Sequence, residues 1–281
     1  TKYYSKNSKL YKILNNKKYR KIIKNIQYEK REKIKRLGKK ILICLPPSIG
    51  LGDSVEYALF LKALVRGNLF EKVGVAYTGK FHIIFTQFFN LKNIHKNFIS
   101  QLEIDEYDTV FHVTLEVNGL VNQKYSRQDI EKTLNKYFSI KSFRKKILNK
   151  KNNTKRITIF PISKSPLRTL NFTLINDLAK KLNNYYFDII LDKSSNISNY
   201  IDKYIFSENI VKLYPKNLCE LIKEVEKVEF GIFIDSGPLH VAKILGIRGV
   251  LLTTTVSGKK LLNDFNSIDE ITNNYNSNYC S

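Results

Sequence analysis

The 281 residues contain no methionine and only three cysteines, and no apolar stretch approaches the roughly 20 residues needed to span a bilayer. With no Met, the initiator is missing, and a trimmed chain is expected. Cys44, Cys219 and Cys280 are odd in number and widely spaced, with no C-x-x-C and no His beside them. They argue against a disulfide framework or a zinc site and fit a reducing cytosol. The amino terminus lacks the apolar core of a signal peptide. Together these absences point to a soluble or peripheral cytoplasmic protein. The loop Gly50-Leu51-Gly52-Asp53-Ser54-Val55 fails as a dinucleotide fingerprint, because G-x-G-x-x-G needs Gly at the place of Val55. No D-x-D falls at a plausible metal-binding strand end, and no internal repeat is detectable.

Acidic residues are also scarce, 25 against 48 Lys and Arg, for a formal charge of +23. The excess is concentrated at the start: residues 1–40 hold 16 Lys and Arg against two Glu, a local balance of +14. From Lys9 to Leu37 the apolar positions, among them Leu10, Ile13, Leu14, Ile22, Ile23, Ile26, Ile34 and Leu37, follow a broken helical pattern. Three readings compete. A solvated helical extension comes first, an amphipathic helix lying on anionic lipid second, and a nucleic-acid binder last. No aromatic RNA-binding signature or zinc-finger spacing supports the third.

The full chain of 281 residues is 43% hydrophobic and long enough for one large domain or two ordinary ones. Apolar strand-like runs at 40–45, 73–77, 109–113, 156–160, 187–191, 210–213, 228–234 and 249–253 alternate with amphipathic helical stretches at 54–65, 82–90, 126–138, 172–182, 218–227 and 238–245. That rhythm predicts βαβ units and parallel sheets. Lys141 to Lys155 is basic, polar and aperiodic, the best candidate for a linker between two lobes. On helix 54–65, Glu56 and Lys62 read as the more polar side.

Two stretches carry chemistry. In Phe233-Ile234-Asp235-Ser236-Gly237-Pro238-Leu239-His240-Val241-Ala242 a strand ends at a helix start, with Pro238 at the first helical position, Ser236 or Gly237 as cap and Gly246 as the stop. The free N–H groups and dipole of such a start attract an anion, most simply phosphate. Simple capping explains the same residues equally well. In Pro46-Pro47-Ser48-Ile49-Gly50-Leu51-Gly52-Asp53-Ser54, Asp53 is either a helix cap or a carboxylate presented at a strand end. His82, His95 and His112 lie far apart without metal-ligand spacing.

The run Asp235-Ser236-Gly237-Pro238-Leu239-His240-Val241-Ala242, followed by Leu245-Gly246 and a strand at 249–253, resembles the D-[ST]-G-x-x-H-[LIV]-A signature of the heptosyltransferases, the GT-B enzymes of glycosyltransferase family 9. The strand followed by Gly52-Asp53 resembles that family's amino-terminal pattern. The resemblance implies two Rossmann-like lobes with parallel sheets facing a cleft: a basic helical extension at 1–39, an acceptor-side lobe at 40–145, a nucleotide-sugar lobe at 155–270 and a flexible tail at 271–281. It implies that Asp53 is the catalytic base and that Asp235, Ser236, Gly237, Pro238 and His240 serve the donor. Pro161-Ile162-Ser163 and Arg168 resemble the family's P-x-x-S segment and its phosphate-contacting basic residue, with Lys164 as a competitor. Here Leu170-Asn171 replaces the usual aromatic-Pro pair, and Asp192-Lys193-Ser194-Ser195-Asn196 lacks the usual glycines and glutamate.

The implied activity is inverting, metal-independent transfer of a sugar, heptose among the candidates, from a nucleotide-diphosphate donor such as ADP-heptose to a lipopolysaccharide or other glycan acceptor, with no cofactor. A lipid-linked acceptor gives residues 1–40 a purpose at the inner face of the inner membrane. A catalytically silent binding protein of the same fold and a basic nucleic-acid-binding protein are the rival classes.

Overall fold

The computed structural model describes residues 37–96, 99–113, 130–144, 155–253, 257–262 and 264–272. The basic extension expected at 1–39 therefore lies almost wholly outside the described residues, as does the tail beyond Thr272.

The amino-terminal lobe runs β1 (Lys40–Cys44), α1 (Leu51–Arg66), β2 (Lys72–Ala76), a π-helical turn (Ile84–Phe88), β3 (Ile94–His95), α2 (Gln101–Ile104), β4 (Thr109–His112) and α3 (Ile130–Tyr137). The carboxyl-terminal lobe follows with β5 (Arg156–Ile159), a 3-10 turn (Pro166–Arg168), α4 (Phe172–Lys181), β6 (Tyr186–Ile190), α5 (Asn196–Lys203), β7 (Ile210–Leu213), α6 (Leu218–Lys227), β8 (Phe230–Phe233), α7 (Gly237–Leu245), β9 (Arg248–Thr253), α8 (Gly258–Leu262) and β10 (Ile268–Thr272). All pairings are parallel, giving sheets ordered β3-β2-β1-β4 and β10-β9-β8-β5-β6-β7. Central strands such as Lys-Ile-Leu-Ile-Cys and Phe-Gly-Ile-Phe are apolar on successive residues because helices cover both faces of a parallel sheet.

The order of each sheet positions the site. In the first, the chain builds outward from β1 through β2 to β3 and then returns to place β4 on the other side of β1; in the second, it builds from β5 through β6 to β7 and then returns to place β8 beside β5. Loops leaving the carboxyl ends of strands at such a reversal splay apart and open a crevice, where open α/β sheets bind ligands. The loop Leu45–Gly50 leaves β1, while Phe160–Ser165 and Ile234–Ser236 leave β5 and β8. The chemistry-bearing stretches therefore sit at the two reversal points.

An apolar core continues between the lobes. It joins Ile41, Val55, Leu59 and Phe60 of the first to Phe160, Phe233, Leu239 and Val241 of the second, with the Phe160 and Phe233 rings stacked 5.1 Å apart. A second cluster, including Ile175, Phe187 and Ile201, packs the other face of the larger sheet.

Several expectations are corrected. The helix expected at 82–90 contains a π-helical turn, Ile84–Phe88. The stretch Asn196–Lys203, which is not among the helices expected, forms α5. Ile271 and Thr272 belong to strand β10, pairing with Leu252 and Thr253, so the second lobe runs to Thr272. Linker residue Arg144 is not simply solvated. It donates to Glu131 of α3 (2.7 Å), approaches Asp264 (3.5 Å) and lies over the Phe265 ring.

Candidate active site

Helix α7 begins as its sequence dictates. Ser236 is the N-cap, with extended backbone, but Pro238 occupies the second helical position rather than the first. The Ser236 hydroxyl turns back to donate to the Ile234 carbonyl (3.3 Å) and does not cap the helix, nor does any other side chain among the described residues. The amide groups and positive dipole end of α7 are therefore left for an outside acceptor. At the other end Gly246 adopts φ 69°, the left-handed conformation that favours glycine, and its N–H reaches Ala242 O and Lys243 O.

Helix α1 opens opposite. Gly50 is its N-cap, and the Gly50 N–H donates to Asp53 Oδ2 at 3.2 Å, a carboxylate at N3 serving the first turn. Asp53 thus caps as one reading required, yet it is half-buried and lines the cleft, and its second oxygen is not used by the cap. Both helix starts need glycine for close approach. A Cβ on Gly52 would lie 2.7 Å from the His240 ring, and one on Gly237 would lie 2.7 Å from Leu51. Gly52→Ala is expected to wedge the lobes and cost about 1–3 kcal/mol as overpacking, visible as a lowered melting temperature.

A cleft of about 650 Å³ lies between these elements. Asp53, Ser163, Arg168, Asp235, Ser236, Gly237, Pro238 and His240 all line it, together with Lys80, Lys164 and Asp192. Sequence positions far apart in the chain are thereby brought to one place. Arg168 Nη1 donates to Asp235 Oδ2 at 2.7 Å; Asp235 is buried and Arg168 half-buried. This charge-assisted pair uses part of the guanidinium fork and fixes the rest at the cleft wall. Ser163 is buried in a local turn, its N–H donating to Thr169 Oγ1 (3.3 Å) and its hydroxyl accepting from the Ser165 N–H (3.5 Å). Lys164 stands exposed at the rim. The cleft is also lined by Ile190, Asp192, Ser195, Lys216, Asn217 and Leu221, a mixture of apolar, neutral polar and charged side chains.

Sequence reasoning missed the charged cluster behind this cleft. Glu56 is 1% exposed rather than on a polar helix face. Its Oε1 accepts from His240 Nδ1 at 3.1 Å and pairs with Lys243 Nζ, and Lys243, fully buried, also donates to the Leu261 carbonyl at 2.8 Å. Burial alone would raise the Glu56 carboxyl, but the Lys243 charge and the His240 hydrogen bond outweigh it and hold it down to about 2. With Glu56 ionised and able only to accept, His240 carries its proton on Nδ1, and its Nε2 edge turns toward Gly52. A lysine in the middle of the otherwise apolar Val241–Leu245 was the available signal.

The class defined by this architecture is the two-lobed GT-B fold. No family model matches the sequence, and no curated protein does. Among solved structures the chain is similar to a glycosyl transferase family 9 protein from Veillonella parvula, at 10% identity over 84% of this chain and 87% of that one, with a TM-score of 0.61. It is similar to E. coli ADP-heptose LPS heptosyltransferase II at 13% identity, covering 83% and 90% of the two chains, TM-score 0.57. E. coli heptosyltransferase WaaC, solved with ADP, matches at 8% identity over 83% and 93%, TM-score 0.55. The fold is that of the heptosyltransferase-like glycosyltransferases, as the motifs at Asp53 and Asp235 imply.

Proposed function

We propose that this chain is an inverting glycosyltransferase that moves a sugar from a nucleotide-diphosphate donor to a glycan or lipid-linked acceptor. The observation that carries the reading is the convergence, in one cleft, of an uncapped helix start, a fixed arginine and a carboxylate from the opposite lobe. In this reading the donor's phosphates lie against the Ser236-Gly237 amides with Arg168, Lys164 and Lys80 nearby, and the base and ribose extend toward Asp192 and Leu221. The acceptor hydroxyl attacks the anomeric carbon from the Asp53 side. The carbon–oxygen bond to phosphate breaks with its electron pair leaving on the nucleotide, and Asp53 takes the acceptor proton. The helix dipole and basic side chains neutralise the leaving phosphate, so turnover is expected to persist in excess chelator.

ADP-heptose is the donor we favour, because two of the similar structures are an ADP-heptose transferase and a heptosyltransferase with ADP. On the same likeness we favour a lipopolysaccharide acceptor, with residues 1–40 holding the enzyme at the anionic inner face of the membrane. No helix among the described residues is long and apolar enough to cross a membrane. A silent binding protein is the second reading, favoured by the cap that Asp53 makes to Gly50.

The test is a thermal-shift screen against ADP-, UDP-, GDP-, dTDP- and CMP-linked sugars, with Gly237→Trp as the blocked control. Ligand at about 100 times its Kd stabilises the native state by roughly 2.7 kcal/mol, a rise of a few degrees. Selective stabilisation by one nucleotide, lost in the control, is the expected result. No response from folded protein would overturn the transferase reading. Arg168→Ala is expected to weaken the selected nucleotide by about 10- to 100-fold, the loss of a charged hydrogen-bond donor, in the same titration.

A further inference from the structure

Glu56 sits one helical turn beyond Asp53 on α1, and it pairs with two residues of α7: His240 Nδ1 at 3.1 Å and the buried Lys243 ammonium. These partners lie three and six residues beyond Gly237. One carboxylate therefore ties the helix start that presents Asp53 to the helix start that opens on the cleft. The tie is over-determined. Gly52 meets the His240 ring and Gly237 meets Leu51 with no room for a Cβ, and Lys243 is itself held by the Leu261 carbonyl and stands over the Phe265 ring at 5.4 Å. Nearby, Glu131 of α3 is buried and paired with the half-buried Arg144, whose guanidinium lies over the same Phe265 ring.

We propose that Glu56 is a positioning residue which, through His240 and Lys243, sets the separation between Asp53 and the amino terminus of α7, and so between acceptor-side base and donor phosphate. The proposal rests on the transferase reading for its catalytic consequence, but not for its structural one. A buried ion pair gives little net stability over apolar packing because both charges lose water; its directional demand can instead select one arrangement of the elements it joins. Here the joined elements carry the two halves of the site, and misplacing reacting groups by about 1 Å can cost roughly 100-fold in rate.

The experiment compares the full chain with Glu56→Gln and with the apolar pair Glu56→Leu/Lys243→Leu. Spin labels at Lys92→Cys and Lys180→Cys, one exposed position on each lobe, are placed in a background with the three native cysteines changed to serine. Pulsed electron resonance should give one narrow interlobe distance for the parent and a broader, longer distribution for Glu56→Gln and for the apolar pair. An imidazole nitrogen spectrum should show His240 protonated at Nδ1 in the parent and shifted toward the other tautomer in Glu56→Gln. With the nucleotide diphosphate selected by the screen, Glu56→Gln should keep its Kd within about two-fold, since the α7 amides and Arg168 that carry the phosphates belong to the second lobe, while kcat falls about 100-fold.

An unchanged distance distribution in both variants overturns the proposal, as does unchanged kcat alongside a lowered melting temperature, which would make the cluster structural only. Should Glu56→Gln not fold, the apolar pair decides. A parent that binds no nucleotide would remove the transferase reading while the distance measurement still decides the role of Glu56.

Discussion

Asp53→Asn is expected to lower the rate of sugar transfer by about 100- to 10,000-fold, the contribution of a positioned general base, while leaving donor affinity within about two-fold. The substitution separates the two roles that one residue holds. Asparagine keeps an oxygen that can accept the Gly50 N–H now bonded to Asp53 Oδ2, so the first turn of α1 retains its cap and the melting temperature should barely move. What asparagine loses is the capacity to take a proton. Loss of kcat with donor binding intact would place Asp53 in the transition state rather than in ground-state binding. The measurement is the initial rate of nucleoside-diphosphate release in the presence of acceptor, with a titration of donor in parallel. An unchanged rate would leave Asp53 as a cap alone. Unchanged donor binding with no turnover in either protein would favour the silent binding protein.

Much of this site was legible in the sequence because its signals are local. A Pro two residues after Ser236 and a Gly at 246 bound a helix whatever surrounds them, and α7 has those limits. Asn217, a residue type that favours caps, begins α6 and accepts from the Glu220 N–H at 3.0 Å. The alternation of apolar strands with amphipathic helices fixed the class of sheet, and loops at strand ends needed only a reversal of strand order to converge. What escaped was non-local or weakly patterned. Glu56 and Lys243 are separated by 187 residues, and each by itself reads as a charge on a helix surface. Ile-Asp-Glu-Ile-Thr, strand β10, is largely exposed at a sheet edge and carries no continuous apolar run. The Asn- and Ser-rich start of α5 mimics a loop because those side chains compete for backbone hydrogen bonds. At Ile84–Phe88 the expected helix has the wider π turn, which packs Ile84 and Phe85 into the core and leaves the Phe89 N–H on Ile84 O. Residue periodicity does not resolve a difference of one residue per turn.

Lys243→Met should be the most destabilising single change in the chain outside the apolar core. The side chain is fully buried, and replacing it by an apolar group of similar length takes away the ammonium that neutralises the buried Glu56 carboxylate, to which His240 Nδ1 also donates. Removing one partner of a buried pair costs about 3–5 kcal/mol, whereas removing both at once is often close to neutral. Glu56→Leu/Lys243→Leu should therefore recover most of the stability that Lys243→Met loses, although the interlobe spacing does not recover with it. The acid limb of stability gives an independent check. The Glu56 carboxyl is held down to about 2 from an ordinary 4.5, chiefly by Lys243 and His240 acting against burial. A depressed carboxyl contributes stability that is fully present above about pH 4.5 and disappears as pH falls toward 2, about 3 kcal/mol over that window. Glu131 runs the other way: burial pushes its carboxyl up despite Arg144, so in the folded state it gains its proton at a higher pH than the unfolded chain does. Urea unfolding of the parent and of Glu56→Gln between pH 7 and pH 2.5 reads the difference directly. The parent should lose stability more steeply below pH 4.5. Parallel curves would mean that the carboxylate is not held ionised by Lys243, and that the cluster joins the lobes by packing alone.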